Sequence, residues 1–155
     1  GDLMKRPPRD PKEAILTNTT FGRMCLVSIV MAVGALFIYG RYGADPEYAR
    51  SATLTTLVFF QLFNLFNSRS ASTSIFAMKI TNNRWLLLMF GIASILQLGA
   101  LYLPGVASVL GLTALSLPTV ALCLAVALSI VLVDELRKLG RAMVLSWAKT
   151  QNLFN

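Results

Sequence analysis

The chain has 155 residues, of which 55% are hydrophobic and only 14% are charged, and its mean hydropathy is +0.65. Soluble domains carry roughly 25% charged residues, so this composition excludes an ordinary soluble domain and indicates an integral membrane protein. The formal net charge of +7 does not indicate a nucleic-acid partner, because the basic residues lie between apolar runs rather than along one face. The sequence contains no histidine and therefore lacks the most versatile acid–base and metal-binding side chain.

Residues 1–20 are polar and are interrupted by Pro7, Pro8 and Pro11. Because proline removes a backbone donor and restricts the residue before it, these residues are not expected to form a regular helix. We predict an extended basic linker arm on the cytoplasmic side of a membrane. Residue 1 is Gly rather than Met, so we expect the chain to be a piece of a longer protein.

Four apolar runs follow the arm, and each is predicted to cross the bilayer as a helix. We therefore expect an all-α membrane protein with four transmembrane helices, at about residues 21–39, 49–67, 85–103 and 118–133. Together these helices would form one domain over residues 21–138, followed by a cytoplasmic tail at 139–155. The uncharged stretch 104–117 is predicted as a loop. In the first span, the surface for close helix packing is predicted to be formed by small residues, namely Ser28, Ala32 and Ala35.

Lysine and arginine are distributed unevenly between the two sides that these spans define. Of the 14 such residues, all but Arg41 and Arg50 lie on the side that carries both termini and the loop between the second and third spans. Cytoplasmic loops are enriched in Lys and Arg. We therefore predict that both termini are cytoplasmic.

The second span carries a polar stripe that the other spans lack. Its members follow near-helical spacing: Thr53, Thr56, Gln61, Asn64 and Asn67. An amide in hydrocarbon costs several kcal/mol unless it finds a partner, so this face requires a protein or ion partner. Gln97 in the third span is a single amide, and we expect it to hydrogen-bond to a neighbouring helix.

Charged residues mark the predicted cytoplasmic ends of the second and fourth spans. Arg69 follows the second span, and Asp134 and Glu135 end the fourth. We predict that these three residues anchor the helices at the membrane surface, and for the acidic pair the alternative is docking to a soluble domain. Cys25 and Cys123 lie inside apolar runs, so we assign them neither a disulfide nor a metal.

Four motifs together resemble one family, the C-terminal membrane domain of calcium-transporting P-type cation pumps. They are LMKRPPRDPKEAILT, FQLFNLFNSRS, NRWLLL with LQLGALYLP, and VLVDELRKLGR. By this resemblance the first motif joins the sixth and seventh transmembrane helices of the pump, and the others belong to the eighth, ninth and tenth. The resemblance covers nearly the whole chain, with the motifs in the order of the family.

The resemblance implies a parent protein that couples ATP hydrolysis, through an aspartyl-phosphate and with Mg²⁺, to calcium transport. The catalytic domains and most ion-binding helices would lie outside this chain, which alone should be inactive and hold no cofactor. Its partners would be the lipid bilayer, the remaining helices and soluble domains of the pump, and the calcium ion. By the same resemblance Gln61 occupies the position of a Glu ligand of the sarcoplasmic-reticulum type. An amide oxygen ligates calcium without bringing charge, which favours one calcium per cycle.

The alternative function is a free-standing four-helix membrane channel or regulatory subunit. A channel requires polar residues on several spans, whereas only the second span has a full polar stripe. The sequence contains no glycine-rich phosphate loop and no nucleophile–base pair in a known motif. The location expected for the protein is the plasma membrane of a prokaryote.

Overall fold

The computed structural model describes residues 18–68 and 84–151. These residues form five α-helices: α1 (Asn18–Arg41), α2 (Pro46–Asn67), α3 (Arg84–Tyr102), α4 (Pro104–Leu110) and α5 (Leu117–Gln151). The described part of the chain contains no β-strand, so the predicted all-α class is confirmed. Most of the predicted linker arm, and Arg69, lie outside the described residues.

Three of the helices are long and apolar enough to cross a membrane: Thr20–Arg41, Arg84–Tyr102 and Leu117–Val144. They correspond to the first, third and fourth predicted spans. The second predicted span corresponds to α2, which has 22 residues and a length of about 33 Å. Its threonine, glutamine and asparagine residues lower its hydropathy, and α2 is not among the helices that are apolar enough to cross a membrane by this measure. A fourth crossing therefore stays a prediction.

Helices α1 and α2 form a hairpin around a tight turn. Asp45 caps α2, because its carboxylate accepts hydrogen bonds from the backbone N–H groups of Glu47 and Tyr48, both at 3.1 Å. Pro46 follows at the first helical position, where a missing N–H costs nothing and the fixed φ suits a helix. The two helices then pack side by side in opposite directions.

The close contact in this hairpin is made by Gly34. A Cβ atom added there would lie 2.6 Å from Cζ of Phe60, so only glycine allows this phenyl ring to pack against the α1 backbone. Of the predicted packing surface of Ser28, Ala32 and Ala35, only Ala35 is half-buried among the described helices. Ser28 and Ala32 are exposed, because the helical rotation from Gly34 turns them toward the outside of the bundle.

Helix α2 lies at the centre of the bundle and makes its most extensive contacts with α5. The two helices run in the same direction: Cys123 contacts the carbonyl of Ala52 at 3.5 Å, and Asn67 contacts that of Ile130 at 3.1 Å. The core between them contains Ile38, Ala52, Phe59, Phe60, Leu101, Leu115, Val120, Cys123, Ala127 and Ile130. The end of α2 therefore meets α5 one turn before Asp134.

Two predicted boundaries differ from the structure. The stretch predicted as a loop at 104–117 contains α4, which begins at Pro104 and ends before Gly111, whose φ of 61° suits a left-handed helix cap. Helix α5 begins near the predicted residue, but it continues past residue 133 to Gln151. Ion pairs at helical spacing support this continuation. The prediction that Asp134 and Glu135 lie at the end of a helix was therefore wrong, because they lie inside α5.

Candidate functional site

Polar side chains gather at both ends of the bundle, and a smaller number lie midway along α2 and α3. One end, called here the charged end, contains the beginning of α1, the end of α2 and residues 134–138 of α5. The other, called the hydroxyl end, contains the turn at 42–45, the beginning of α2 and the segment 111–119. The charged end holds four of the predicted site residues, namely Asn64, Asn67, Asp134 and Glu135.

The centre of the charged end is the carboxylate of Asp134, which is completely buried. Arg137 donates to its Oδ1 from both Nε and Nη2, each at 2.9 Å. Lys138 places Nζ 3.2 Å from Oδ2 of the same carboxylate and 2.9 Å from Oε1 of Glu135. These partners lie three or four residues away on one helix, which is the spacing that brings side chains together.

Arg23 connects this cluster to another helix. Its Nε lies 3.4 Å from Oδ1 of Asp134, so the ion pair joins the beginning of α1 to α5. Sequence reasoning placed both residues on the same side of the membrane but did not pair them. The signal that could have paired them was the excess of basic over acidic residues around Asp134. A carboxylate that is buried requires basic partners. The anchoring role assigned to Asp134 and Glu135 stays a prediction.

Asn67 joins α2 to α5 beside this cluster. Its side chain is completely buried, and its Nδ2 donates to the carbonyl of Ile130 at 3.1 Å. Two buried amide oxygens at the charged end, Asn64 Oδ1 and Asn67 Oδ1, have no hydrogen-bond partner among residues 18–68 and 84–151, whereas Arg23 Nε and Asp134 Oδ2 are met only by the ion-pair contacts given above. Buried polar groups are nearly always bonded, so these two oxygens are the atoms of this end that lack a donor in the described residues.

The predicted polar stripe of α2 does not act as a single face. The hydroxyls of Thr53 and Thr56 donate within α2 to the carbonyls of Ala49 and Ala52, both at 2.8 Å. This bond satisfies a hydroxyl without any other helix. Its neighbour Thr55, which the sequence reasoning did not single out, accepts a hydrogen bond from Nε2 of Gln97 at 3.1 Å, which confirms the predicted contact of that amide with a neighbouring helix.

Gln61 lies on the open side of α2. It is exposed, like Leu54 and Leu65 on the same face, and its Nε2 lies 4.0 Å from the sulfur of Met31. Among the described residues, no three His, Cys, Asp or Glu side chains come together as a metal site. Gln61 is therefore accessible to groups outside the bundle and stands apart from the Asp134 cluster.

The hydroxyl end is built from neutral groups. Tyr48 donates to Oγ1 of Thr119 at 2.9 Å and accepts from the backbone N–H of Ser116 at 3.0 Å. Nearby, Ser51 Oγ accepts from the N–H of Thr113 at 2.8 Å, and Arg50 donates to the carbonyl of Gly111. These bonds hold the segment before α5 against the beginning of α2.

Comparisons with known proteins identify relatives of this chain. A family model described as "Cation transporting ATPase, C-terminus" matches residues 1–140. Calcium-transporting ATPase 1 of Saccharomyces cerevisiae is 30% identical over 155 residues, which cover 97% of this chain and 16% of the relative. Probable cation-transporting ATPase F of Mycobacterium tuberculosis is 34% identical over 105 residues, covering 66% of this chain and 12% of the relative.

The human relative, calcium-transporting ATPase type 2C member 1, is 34% identical over 86 residues, which cover 54% of this chain and 9% of the relative. The chain therefore spans at most 16% of the length of these relatives. The family match includes α1 to α4 and α5 as far as Gly140, and thus both polar ends of the bundle. By this match, the chain belongs to the family of cation-transporting ATPase C-terminal domains.

Proposed function

We propose that the chain is the membrane support domain of an ATP-driven calcium pump, and that it packs against ion-binding helices contributed by the rest of that protein. The observation that carries the proposal is the open face of α2. This helix is at the centre of the bundle, yet Leu54, Gln61 and Leu65 on one of its faces are exposed. Lipid would cover the two leucines, but it would leave the amide of Gln61 on the same face without a partner, so a further helix is expected against this face.

Four spans with both termini on the cytoplasmic side form part of the proposal. Contacts along α1, α2, α3 and α5 support alternating directions, since Phe63 and Phe66 near the end of α2 both contact Phe90 near the beginning of α3. The pair between Arg23 and Asp134 supports a common side for the arm and residues 134–138. The excess of Lys and Arg on that side favours the cytoplasm. A prokaryotic plasma membrane is the proposed location, in keeping with the mycobacterial relatives.

Within this function, Gln61 is proposed as one calcium ligand of the intact pump. Its amide oxygen is of the type that hard cations bind, and its exposure on α2 makes it available to an ion held by neighbouring helices. An uncharged ligand at this position favours one calcium per cycle. ATP and Mg²⁺ would act in domains outside this chain.

The test is Gln61→Ala in the intact pump, with Leu65→Ala as the matched control one turn further on the same face of α2. Loss of one ligand should lower the affinity for calcium in calcium-dependent phosphorylation by about tenfold, which corresponds to about 1.4 kcal/mol. Leu65→Ala should leave this affinity unchanged. Equal affinity in both variants would reduce Gln61 to a packing residue.

The alternative function, a free-standing channel or regulatory subunit, predicts activity in the chain alone. A support domain reconstituted in vesicles without the rest of the pump should carry no passive calcium flux and hydrolyse no ATP. Passive flux that follows the concentration of this chain would favour the channel. The bonds from Gln97 to Thr55 and from Asn67 to Ile130 join helices to one another, which supports a packing role for these amides.

A further inference from the structure

A cavity of about 260 Å³ opens at the charged end between α1 and α2. It is lined by Thr20, Arg23, Met24, Val27, Asn64 and Ser68. We propose that this cavity binds the phosphate of an anionic phospholipid, whose acyl chain lies along α1. The proposal concerns a binding site distinct from Gln61 and does not depend on the transported ion.

The polar lining has the chemistry that a phosphodiester requires. The guanidinium of Arg23 offers charged donors in the planar arrangement that suits phosphate oxygens. Exposed Thr20 adds a hydroxyl donor and Asn64 adds an amide, while the hydroxyl of Ser68 donates to the carbonyl of Leu65 at 2.9 Å and lines the wall of the cavity. The volume is close to the lower end of ligand pockets, roughly 300 Å³, which fits a small headgroup rather than a larger ligand.

Arg23 keeps positive charge available for a ligand. Asp134 also pairs with Arg137 and Lys138. The cluster has three positive charges, on Arg23, Arg137 and Lys138, against two negative charges, on Asp134 and Glu135. The contact from Arg23 is the longest that Asp134 makes, at 3.4 Å against 2.9 and 3.2 Å. Its Nε makes only this long ion-pair contact in the described part of the chain, and the guanidinium has further N–H groups to offer a phosphate oxygen.

An apolar groove continues from this cavity and distinguishes a lipid from free phosphate. The groove, of about 520 Å³, is lined by Phe21, Met24, Cys25, Ser28 and Ile29, and it shares Met24 with the polar cavity. Phe21 and Ile29 are 61% and 62% exposed. An acyl chain would cover this surface while the phosphate meets Arg23, whereas inorganic phosphate would leave it exposed. The ligand that fits both the cavity and the groove is therefore a phospholipid rather than inorganic phosphate.

The experiment measures binding of phosphatidylglycerol to the intact protein that carries this chain, delipidated in detergent, by native mass spectrometry. Ser68→Leu fills the cavity without touching the ion pair of Arg23, and Arg23→Gln removes the charge. Each should weaken phosphatidylglycerol binding by about tenfold, Arg23→Gln through the loss of a charge-assisted hydrogen bond and Ser68→Leu through the loss of space for the headgroup. Arg41→Gln, at the opposite end of the same helix, is the matched control and should bind as the unaltered protein does.

Equal phosphatidylglycerol binding by the unaltered protein and by Ser68→Leu would overturn the proposal, and this comparison decides the matter even where Arg23→Gln impairs folding. Phosphatidylcholine bound as tightly as phosphatidylglycerol would also overturn it, because the site would then not select a net negative headgroup. Displacement of phosphatidylglycerol by millimolar inorganic phosphate would overturn the assignment to lipid. These measurements need neither ATP nor calcium, so their failure is distinguishable from failure of the pump function.

Discussion

At one end of the bundle Tyr48, Ser116 and Thr119 bond to one another through neutral groups, whereas at the other end a buried carboxylate is shared by three basic side chains. Both ends join α5 to its neighbours. At the hydroxyl end the partners are hydroxyls and backbone groups close to each other. At the charged end they come from two helices and carry full charge.

This difference is reflected in how completely each end is bonded. The two buried amide oxygens that lack a donor in the described residues, on Asn64 and Asn67, belong to the charged end. Neutral hydrogen bonds are lost or gained at modest cost, about 1 kcal/mol each, whereas an unmatched buried charge costs several times more. A loss at the charged end should therefore cost more than a loss at the hydroxyl end.

The largest expected effect is that of Asp134→Asn. This change leaves Arg23, Arg137 and Lys138 without their shared carboxylate, and breaking a buried ion pair from one side costs about 3–5 kcal/mol. The free energy of unfolding of the intact protein in detergent should fall by that amount. Glu135→Gln is the matched control on the next residue, and because Glu135 is 12% exposed, its loss should be clearly smaller. Similar losses for both variants would contradict the central place given to Asp134.

A substitution between the two ends should have an intermediate effect. Gly34→Ala places a Cβ atom 2.6 Å from Cζ of Phe60, and such overpacking costs about 1–3 kcal/mol. Gly22→Ala is the control, because nothing lies within 4 Å of its added Cβ and alanine is the better helix former by about 1 kcal/mol. Thermal unfolding should therefore shift in opposite directions in the two variants. A shift to higher stability for Gly34→Ala would show that Phe60 moves aside without cost.

The smallest expected effect is at the hydroxyl end. Tyr48→Phe removes a neutral hydroxyl that bonds Ser116 and Thr119, and the free energy of unfolding should fall by about 1–2 kcal/mol. Tyr39→Phe, in an exposed tyrosine of α1, is the control and should cost less. A loss at Tyr48 as large as that of Asp134→Asn would remove the distinction between the two ends.

Local sequence pattern was sufficient for the parts of the fold that depend on local chemistry. The long apolar runs predicted the spans that became α1, α3 and the first part of α5, and Pro118 predicted where α5 begins within one residue. The same reasoning missed α4, because a short helix of small apolar residues has no polar face to reveal its period. It ended α5 at residue 133, because hydropathy marks where a chain leaves hydrocarbon and not where a helix ends.

The parts that depend on partners could not be predicted in the same way. The stripe on α2 was visible as a spacing, but spacing does not say that Thr56 bonds within its own helix while Asn67 reaches Ile130. The sequence of α1 also did not reveal which of its small residues contacts a neighbouring helix. The contact is at Gly34 because Phe60 of α2 lies opposite that position. The pair of Arg23 with Asp134 joins residues 111 positions apart, and only the arrangement of α1 beside α5 brings them together.

Helix α5 has a mechanical consequence. Its 35 residues form a rod of about 52 Å, and crossing the hydrocarbon takes only about 30 Å of it. The part beyond Asp134 extends about 25 Å past the charged end, so a tilt of about 10° around that point would displace its tip by about 4 Å. Because α5 is continuous from Leu117 to Gln151, such a tilt would change the distance between Asp134 and Arg23, its basic partner on α1, whereas Arg137 and Lys138 would move together with Asp134.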